Sequence, residues 1–307
     1  MNKIGWTEQT WNSIIGCTKI SEGCKRCYAE RMAGRLASMA IAKSEPSALD
    51  YYVDALDYSL YKWNGKAQFV EPSLTKPFKW MKPRMIFVCS MGDLFHETVK
   101  IDWLAQVFAV MFLNPQHTFQ VLTKRPDNAL VVLESLRFKE LLHKYCDQFH
   151  DKYIRPLKQY FYEEILSELP LKNVWVGVTA ENQEQADKRI PVLLQIPAKV
   201  RFVSCEPLLE EIKLSTWGYN YLEGWAVLPS CCGYGLRNNN VCCGNPDPEQ
   251  YHTDKLDWVI AGPETGPGAR PMQKEWIESL YQQCKDANVA FYDKKDVLGL
   301  NLKQFPK

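Results

Sequence analysis

The chain has no long apolar run, no excess of either charge and few histidines. No stretch approaches the roughly 20 apolar residues of a membrane-spanning helix, so we expect no membrane partner. The net charge of the 307 residues is +1, which argues against a strongly basic nucleic-acid-binding protein but allows a local positive groove. With five histidines, a zinc hydrolase built on several histidine ligands is disfavoured. The first ten residues lack the apolar core of a signal peptide, so we expect a reducing, cytoplasmic location.

Cysteine, by contrast, is abundant, with eleven in the chain. Three of them, Cys17, Cys24 and Cys27, have the spacing C-x6-C-x2-C. The residues between Cys17 and Cys24 predict a loop, and residues 28–42 predict a helix. The helix dipole and the two basic residues after Cys24 favour thiolates. Three thiolates on one loop suit a [4Fe–4S] cluster with an open fourth iron; the alternative is part of a zinc site completed by a distant ligand.

Short apolar segments alternate with helical patterns along most of the chain. Strands are predicted at residues 84–90, 118–123, 173–178, 199–204, 256–262 and 289–292, and helices at 101–113, 127–168, 182–195 and 273–287. Ile14-Ile15-Gly16 predicts a short first strand. The alternation indicates the α/β class, as a complete or partial (β/α) TIM-type barrel of about six or seven parallel strands. An open doubly wound sheet is the competing fold.

We expect one domain over residues 1–307, with insertions at approximately 44–83, 137–168 and 215–256. The first insertion is rich in aromatic residues, which suits either a surface that stacks on a base or a cover over the core. The second predicts a helical extension. The third holds two Cys-Cys-Gly sequences, for which zinc, a second iron–sulfur cluster and unliganded thiols all stay open. Its cysteines are Cys231, Cys232, Cys242 and Cys243.

Each predicted strand ends in polar residues that could take part in chemistry. In βα barrels the active site lies at the carboxyl ends of the strands, so we expect a polar site there. For any single residue of this kind, helix capping is the alternative role. The strand-end groups are Ser90-Met91-Gly92-Asp93, Thr123-Lys124-Arg125, Thr179-Ala180-Glu181, Ser204-Cys205-Glu206, Gly262-Pro263-Glu264 and Asp293-Lys294.

Taken together, these segments resemble the radical S-adenosylmethionine enzymes and, more narrowly, a phage-associated protein family of unknown function that is grouped with them. The longer first gap in the cysteine motif is similar to that narrower family. The chain departs from the family's usual pattern at residues 262–266 and 291–296, where substrate is expected to sit. The stretches that carry the resemblance are residues 10–12, 16–18, 23–30, 90–97, 116–126, 174–178, 201–208 and 266–272.

The resemblance implies a [4Fe–4S] cluster on Cys17, Cys24 and Cys27 that reductively cleaves S-adenosylmethionine to a 5′-deoxyadenosyl radical. The radical would abstract hydrogen from a substrate, with a nucleic-acid base or a nucleotide among the candidates. A one-electron reductase of the flavodoxin or ferredoxin type is the implied partner. The implied cofactor-binding residues are Ser90, Met91, Gly92 and Asp93 for the methionine amino group, Lys124 and Arg125 for the carboxylate, Thr179 and Glu181 for the ribose, and in addition Glu206 and Glu264.

The alternative function is a non-enzymatic module, stabilised by zinc or by an iron–sulfur cluster, that binds nucleic acid or protein. Both cysteine sets would then be structural. The row of strand-end carboxylates disfavours this reading, because a binding scaffold has no need of them. Cleavage of S-adenosylmethionine under reducing, anaerobic conditions separates the two functions.

Overall fold

A curled sheet of parallel strands organises the fold. The computed structural model describes residues 4–43, 45–57, 59–153, 169–216, 219–227, 250–252 and 254–306. Over these residues, no helix combines the length and the apolar composition needed to cross a bilayer. In chain order the strands are β1 (Gln9–Trp11), β2 (Ile14–Ile15), β3 (Leu56–Asp57), β4 (Lys62–Trp63), β5 (Gln68–Phe69), β6 (Met85–Val88), β7 (Thr118–Thr123), β8 (Val174–Thr179), β9 (Val200–Cys205), β10 (Ser215–Thr216), β11 (Tyr219–Asn220), β12 (Trp225–Val227), β13 (Gln250–His252), β14 (Trp258–Ala261) and β15 (Ala290–Asp293).

Seven of these strands form the main sheet, in the order β1-β6-β7-β8-β9-β14-β15. All six neighbouring pairs are parallel, and the sheet curls into a half-barrel. The predicted partial α/β barrel is therefore confirmed, with the six predicted strands as neighbours. Ile14–Ile15 forms a strand, as predicted, but it is not the first strand and not part of the barrel, because it pairs antiparallel with Gln68–Phe69. The first barrel strand is Gln9–Trp11, which is too short and too polar to stand out as an apolar run.

The connections between parallel strands are mostly helical, as a parallel sheet requires. Among the described residues the α-helices are α1 (Tyr28–Ile41), α2 (Asp50–Asp54), α3 (Glu71–Leu74), α4 (Ile101–Phe112), α5 (Pro126–Glu134), α6 (Leu136–Tyr153), α7 (Gln183–Leu193) and α8 (Lys274–Asp286). Helix α1 joins β1 to the β6 region, α4 joins β6 to β7, α5 and α6 join β7 to β8, α7 joins β8 to β9, and α8 joins β14 to β15.

Successive side chains of each strand point to opposite faces of the sheet, and the two faces have different cores. Ile86 and Val88 of β6 pack in the large cluster shared with the helices. Phe87, between them, instead joins an aromatic cluster with Trp6 and Trp258. The concave face of the half-barrel is thus filled by large rings, which close its interior below the carboxyl ends of the strands.

The three predicted insertions have different structures. The described residues between 45 and 83 form short helices and two-residue strands, and several of their aromatic side chains cover the core. Helix α6 begins the second insertion and packs on the core through Phe138 and Leu142, while residues 154–168 lie outside the described residues. In the third, β10–β13 form a separate antiparallel sheet. Its cysteines Cys231, Cys232, Cys242 and Cys243 also lie outside the described residues.

Candidate functional site

The three clustered cysteines and most of the strand-end residues meet at one cavity of about 260 Å³. The cavity lies where the parallel strands end, as predicted. Met91, Arg125 and Glu181 do not line it. Met91 packs against α1, and the other two lie beneath the cysteine loop, residues 17–27. The predicted residues that line the cavity are Cys17, Cys24, Cys27, Ser90, Gly92, Asp93, Lys124, Thr179, Glu206 and Glu264.

The cysteine loop is fixed at its start by a close backbone approach. Gly16 pairs with Gly92 beyond the ends of the neighbouring strands β1 and β6, and its N–H donates to the Met91 carbonyl over 3.0 Å. Gly16 has φ +90, and a Cβ there would lie 2.4 Å from the carbonyl oxygen of Lys66. A side chain at this position would therefore clash as well as strain the backbone, so glycine sets the position from which Cys17 begins.

Asp93 and Arg125 form a buried ion pair under the loop, with Arg125 Nη1 3.1 Å from Asp93 Oδ2. Asp93 also accepts hydrogen bonds from Thr123 Oγ1 at 2.7 Å, from Lys124 N at 3.0 Å and from Phe95 N at 3.0 Å. Four donors use the roughly four lone-pair sites of a carboxylate. The geometry therefore favours an anchoring role for Asp93, and its implied contact with the methionine ammonium group stays a prediction.

Arg125 connects this ion pair to the loop itself. Its Nη2 donates to the carbonyl oxygen of Thr18 over 3.2 Å, and Nη1 lies 3.8 Å from Cys17 Sγ. Its Nε donates to Glu97 over 2.7 Å. Burial, together with the negative charge of Asp93, outweighs the effect of the arginine and raises the pKa of Cys17 to about 12. Without a metal, Cys17 is therefore a neutral thiol at pH 7.

Glu181 and Lys124 hold the middle of the loop. Glu181 Oε1 accepts the Gly23 N–H over 2.9 Å, and Oε2 accepts from Arg189 Nη1 over 3.0 Å. Lys124 Nζ lies 3.6 Å from Glu181 Oε2 and donates to Ser21 Oγ over 3.3 Å. Burial alone would raise the pKa of Glu181, but these cationic and hydrogen-bonding partners lower it. Glu181 is therefore a buried, ionised anchor.

The same lysine acts on the second cysteine. Burial disfavours the Cys24 thiolate, but the Lys124 ammonium and the hydrogen bonds from Ile20 and Ser21 outweigh it and lower the pKa of Cys24. Ser21 Oγ lies 3.6 Å from Cys24 Sγ. The loop thus combines one thiol that burial keeps protonated with one that its surroundings prepare for ionisation, which is the form that binds metal.

An arginine from the far end of the sheet closes the outer side of the loop. Arg270 donates from Nε and from Nη2 to the two oxygens of Glu264, at 3.0 and 2.5 Å. Arg270 Nη1 reaches the Glu22 carbonyl oxygen over 3.2 Å, and Arg26 lies 3.7 Å from Glu264. Glu264, predicted to bind cofactor, is thus tied to arginines. Arg270 was missed because no strand ends at it, and Arg26 was recognised only as a basic residue that favours thiolates.

A second ion pair faces the cavity and has fewer protein partners. Lys294 Nζ lies 3.0 Å from Glu206 Oε1, without the alignment of a hydrogen bond among the described residues. Glu206 Oε2 accepts weak hydrogen bonds from Trp6 Nε1 and Ser204 Oγ, both at 3.4 Å. Lys294 was recognised at a strand end but not as a site residue; its position directly after the last strand was the signal that could have found it.

Four aromatic residues outside the predicted set also line the cavity: Trp6, Tyr28, Trp63 and Phe87. Tyr28 donates to the Ser90 carbonyl over 2.8 Å, which links the start of α1 to the end of β6. The indole Nε1 of Trp63 is buried and has no hydrogen-bond partner among the described residues. An unpartnered donor in a cavity is a point at which a ligand can bind.

The cysteines of the described residues are all free thiols. Within that part of the chain, no three or more His, Cys, Asp or Glu side chains are gathered as the ligands of one metal ion would be. The three loop thiols share a cavity wall but do not converge on a single point.

A family model described as a protein of unknown function, DUF5131, matches residues 1–297. No curated protein and no solved structure matches the chain significantly.

Proposed function

Because the chain belongs to the DUF5131 family of proteins of unknown function, we propose its function from its own site: a radical S-adenosylmethionine enzyme with a [4Fe–4S] cluster on Cys17, Cys24 and Cys27. The observation that carries the proposal is that these three thiols line one cavity at the carboxyl ends of a half-barrel. Cys17, Cys24 and Cys27 would hold the cluster, which would supply one-electron cleavage of S-adenosylmethionine to a 5′-deoxyadenosyl radical that would abstract hydrogen from the substrate.

The donor set fits a cluster better than a single zinc ion. Zinc–sulfur bonds of about 2.3 Å in a tetrahedron place the sulfurs about 3.8 Å apart. In a [4Fe–4S] cluster each cysteine binds a different iron, so the sulfurs need not converge. Three loop cysteines with no fourth ligand close by in sequence suit the second arrangement.

Some residues of the chain hold the cysteine loop, others line the cavity beside its thiols, and Asp93 and Lys124 do both. Arg125, Glu181 and Asp93 bind other protein groups and position the loop. Ser90, Gly92, Lys124 and Thr179 line the cavity with the thiols, so we assign the cofactor contacts to them. Lys124 supplies a cation for the cofactor's carboxylate. The chemistry needs a reducing cytoplasm and a one-electron reductase of the flavodoxin or ferredoxin type.

Anaerobic reconstitution with iron and sulfide tests the proposal. We expect about four iron and four sulfide per chain, a [4Fe–4S] Mössbauer spectrum, and 5′-deoxyadenosine when S-adenosylmethionine and a strong reductant are added. Cys17→Ala, Cys24→Ala and Cys27→Ala should each abolish the product, whereas Cys146→Ala, a matched change at a buried core cysteine, should leave it. Stoichiometric zinc without a cluster after this treatment would refute the proposal.

One observation favours the second candidate, a metal-stabilised binding module. The strand-end carboxylates were the reason to disfavour it, yet Asp93, Glu181 and Glu264 all serve the protein's own structure. A reconstituted protein that holds its cluster but forms no 5′-deoxyadenosine would support that module. Removing Cys231, Cys232, Cys242 and Cys243 together, followed by metal analysis, tests whether the third insertion binds zinc.

A further inference from the structure

The Glu206–Lys294 pair has the properties of a recognition group rather than of a structural salt bridge. It lies in the wall of the cavity that the three thiols also line. Glu206 Oε1 is buried and accepts no hydrogen bond among the described residues, although Lys294 Nζ is 3.0 Å away. The pair therefore places a carboxylate oxygen that accepts no hydrogen bond beside an ammonium group, in the wall of the cavity.

An acceptor beside a donor complements the edge of a nucleobase. Bases present donors and acceptors side by side along their edges, and carboxylate and lysine side chains bind such groups. Trp63 adds a second feature, because its ring lines the cavity and its buried Nε1 has no partner among the described residues. Aromatic rings stack on bases whatever their sequence. The cavity thus combines a polar pair that can hydrogen-bond to the edge of a base with an aromatic ring in its wall.

A row of arginines leads away from this cavity along α1. Arg26 lines the cavity itself. Arg31 and Arg35 line a neighbouring groove of about 360 Å³ together with Tyr61, and Arg31 Nη2 reaches the carbonyl of Thr265, which lines the main cavity, over 3.5 Å. Arg31 therefore stands between the two depressions. Four residues along a helix correspond to about 6 Å, so Arg31 and Arg35 form a continuous positive edge.

The acidic residues near this edge are also paired with cations outside it, although Glu30 lines the groove with Arg31 and Arg35. Glu30 pairs with Lys19 at 2.5 Å. Glu264 is shared between Arg270 at 2.5 Å and Arg26 at 3.7 Å, and Glu22 pairs with Lys25 at 2.7 Å. A chain with a net charge of +1 thus has a local positive track that ends at the proposed reaction centre. Phosphate groups are the ligands that arginine clusters prefer.

We propose that the substrate is a single-stranded nucleic acid that lies along α1 with its phosphates on Arg26, Arg31 and Arg35 and inserts one base between Trp63 and the Glu206–Lys294 pair. This inference names the substrate of the proposed function and rests on it for the chemistry, but the binding itself requires no cluster. Insertion of an unpaired base needs no strand separation, which favours single strands over duplexes.

Fluorescence anisotropy tests the phosphate contacts, with labelled 12-nucleotide homopolymers of each base as probes and the full chain with and without its cluster. The triple variant Arg26→Ala, Arg31→Ala, Arg35→Ala should weaken every probe by about tenfold or more and make the salt dependence shallower by about 0.7 per lost phosphate contact. The control triple variant is Arg137→Ala, Lys188→Ala, Lys274→Ala, which removes three exposed cations elsewhere and should leave affinity within twofold of the unmodified chain.

The variants Glu206→Gln and Lys294→Met test the base contacts with the same probes. Either should change the preference among the four bases by about tenfold while the salt dependence stays the same. Thermal unfolding checks that both variants are folded, and Glu211→Gln, at an exposed carboxylate, is the matched control. Unchanged base preference in both variants, or equal binding of heparin, a polyanion without bases, would overturn the proposal.

The two proposals fail separately. A chain that forms its cluster and yields 5′-deoxyadenosine but binds none of the homopolymers would overturn the nucleic-acid inference alone. A chain that binds the homopolymers in the expected pattern but forms no cluster would overturn the radical enzyme alone. Loss of binding in the control triple variant equal to that in the α1 triple variant would also count against the arginine track.

Discussion

The strand ends of β6, β7 and β8 use their charges differently from those of β9 and β15. Asp93 pairs with Arg125, and Glu181 pairs with Arg189. Arg125 and Glu181 also bind the cysteine loop, and all of these side chains are nearly inaccessible to solvent. Glu206 and Lys294 face the cavity with side-chain exposures of 13 and 28%. The charged residues after β6, β7 and β8 therefore hold the site together, whereas those after β9 and β15 are available to a ligand. A charged residue at a strand end indicates a site without telling which of these two roles it has.

The sharpest test of this difference compares Arg125→Met with Lys294→Met. Removing Arg125 leaves Asp93 buried without its cation, so we expect a loss of about 3–5 kcal/mol in the free energy of unfolding. Lys294 lies beside a cavity that water can enter, and its removal should cost about 1 kcal/mol or less. Urea unfolding measures both. Equal losses of unfolding free energy would show that Arg125 and Lys294 have the same structural role.

A second test concerns the fixed start of the cysteine loop. Gly16→Ala adds both the strain of a left-handed backbone and a contact of 2.4 Å with the Lys66 carbonyl, so we expect a loss of about 2–4 kcal/mol together with reduced iron uptake. Gly299 has φ +70 but no atom within 4 Å of its Cβ position, so Gly299→Ala should cost about 1–2 kcal/mol from the backbone alone. A Gly16 variant no worse than the control would mean that the loop start is not held by close packing.

The link between α1 and β6 should contribute less. Tyr28→Phe removes the hydrogen bond from the phenol to the Ser90 carbonyl, 2.8 Å long, and should cost about 1 kcal/mol in the free energy of unfolding. Because the ring remains, the effect isolates the hydroxyl group. Thermal unfolding of the two proteins side by side measures this effect. An unchanged unfolding midpoint would mean that water replaces the Tyr28–Ser90 hydrogen bond without loss of stability.

The smallest effect is expected at Glu264. Arg270 holds the pKa of Glu264 below its ordinary value of 4.5, so the ion pair stabilises the folded chain above that pH and is lost as the pH falls through the lower, folded-state pKa. The midpoint difference between the unmodified chain and Glu264→Gln should be present at pH 7, correspond to less than about 1 kcal/mol, and vanish in acid. Glu278→Gln, at an exposed pair with Lys274, should show no such difference. A constant difference at all pH values would contradict the assignment.

Much of the fold could be predicted from the sequence because buried parallel strands are apolar runs. Residues 118–123 were predicted at the observed bounds of β7. The first strand could not be found in this way, because Gln9–Trp11 buries only Trp11. Its place in the sheet comes from pairing with β6, a long-range contact that leaves no local pattern.

The candidate site was predictable in location but not in its division of roles. Glu181 and Glu206 each follow a strand, and nothing in their neighbouring residues separates them. Glu181 accepts hydrogen bonds from the Gly23 N–H and from Arg189, whereas Glu206 forms an ion pair with Lys294, which follows a different strand. These partners depend on where the cysteine loop crosses the end of the sheet, which is a property of the folded loop. The sequence shows the donors and acceptors, but the fold determines which of them meet.

The contact between Glu206 and Lys294 also depends on the curvature of the sheet. The two residues follow β9 and β15, which flank β14, and two strand spacings amount to about 10 Å. Their charged atoms nevertheless lie 3.0 Å apart, above Gly262, where a Cβ would come within 2.8 Å of Glu206 Oε1. The ion pair therefore depends on the curvature of the sheet between β9 and β15. A ligand that moves β9 and β15 apart must break the Glu206–Lys294 pair. A ligand that brings them closer pushes both side chains toward Gly262, which has no side chain to oppose them.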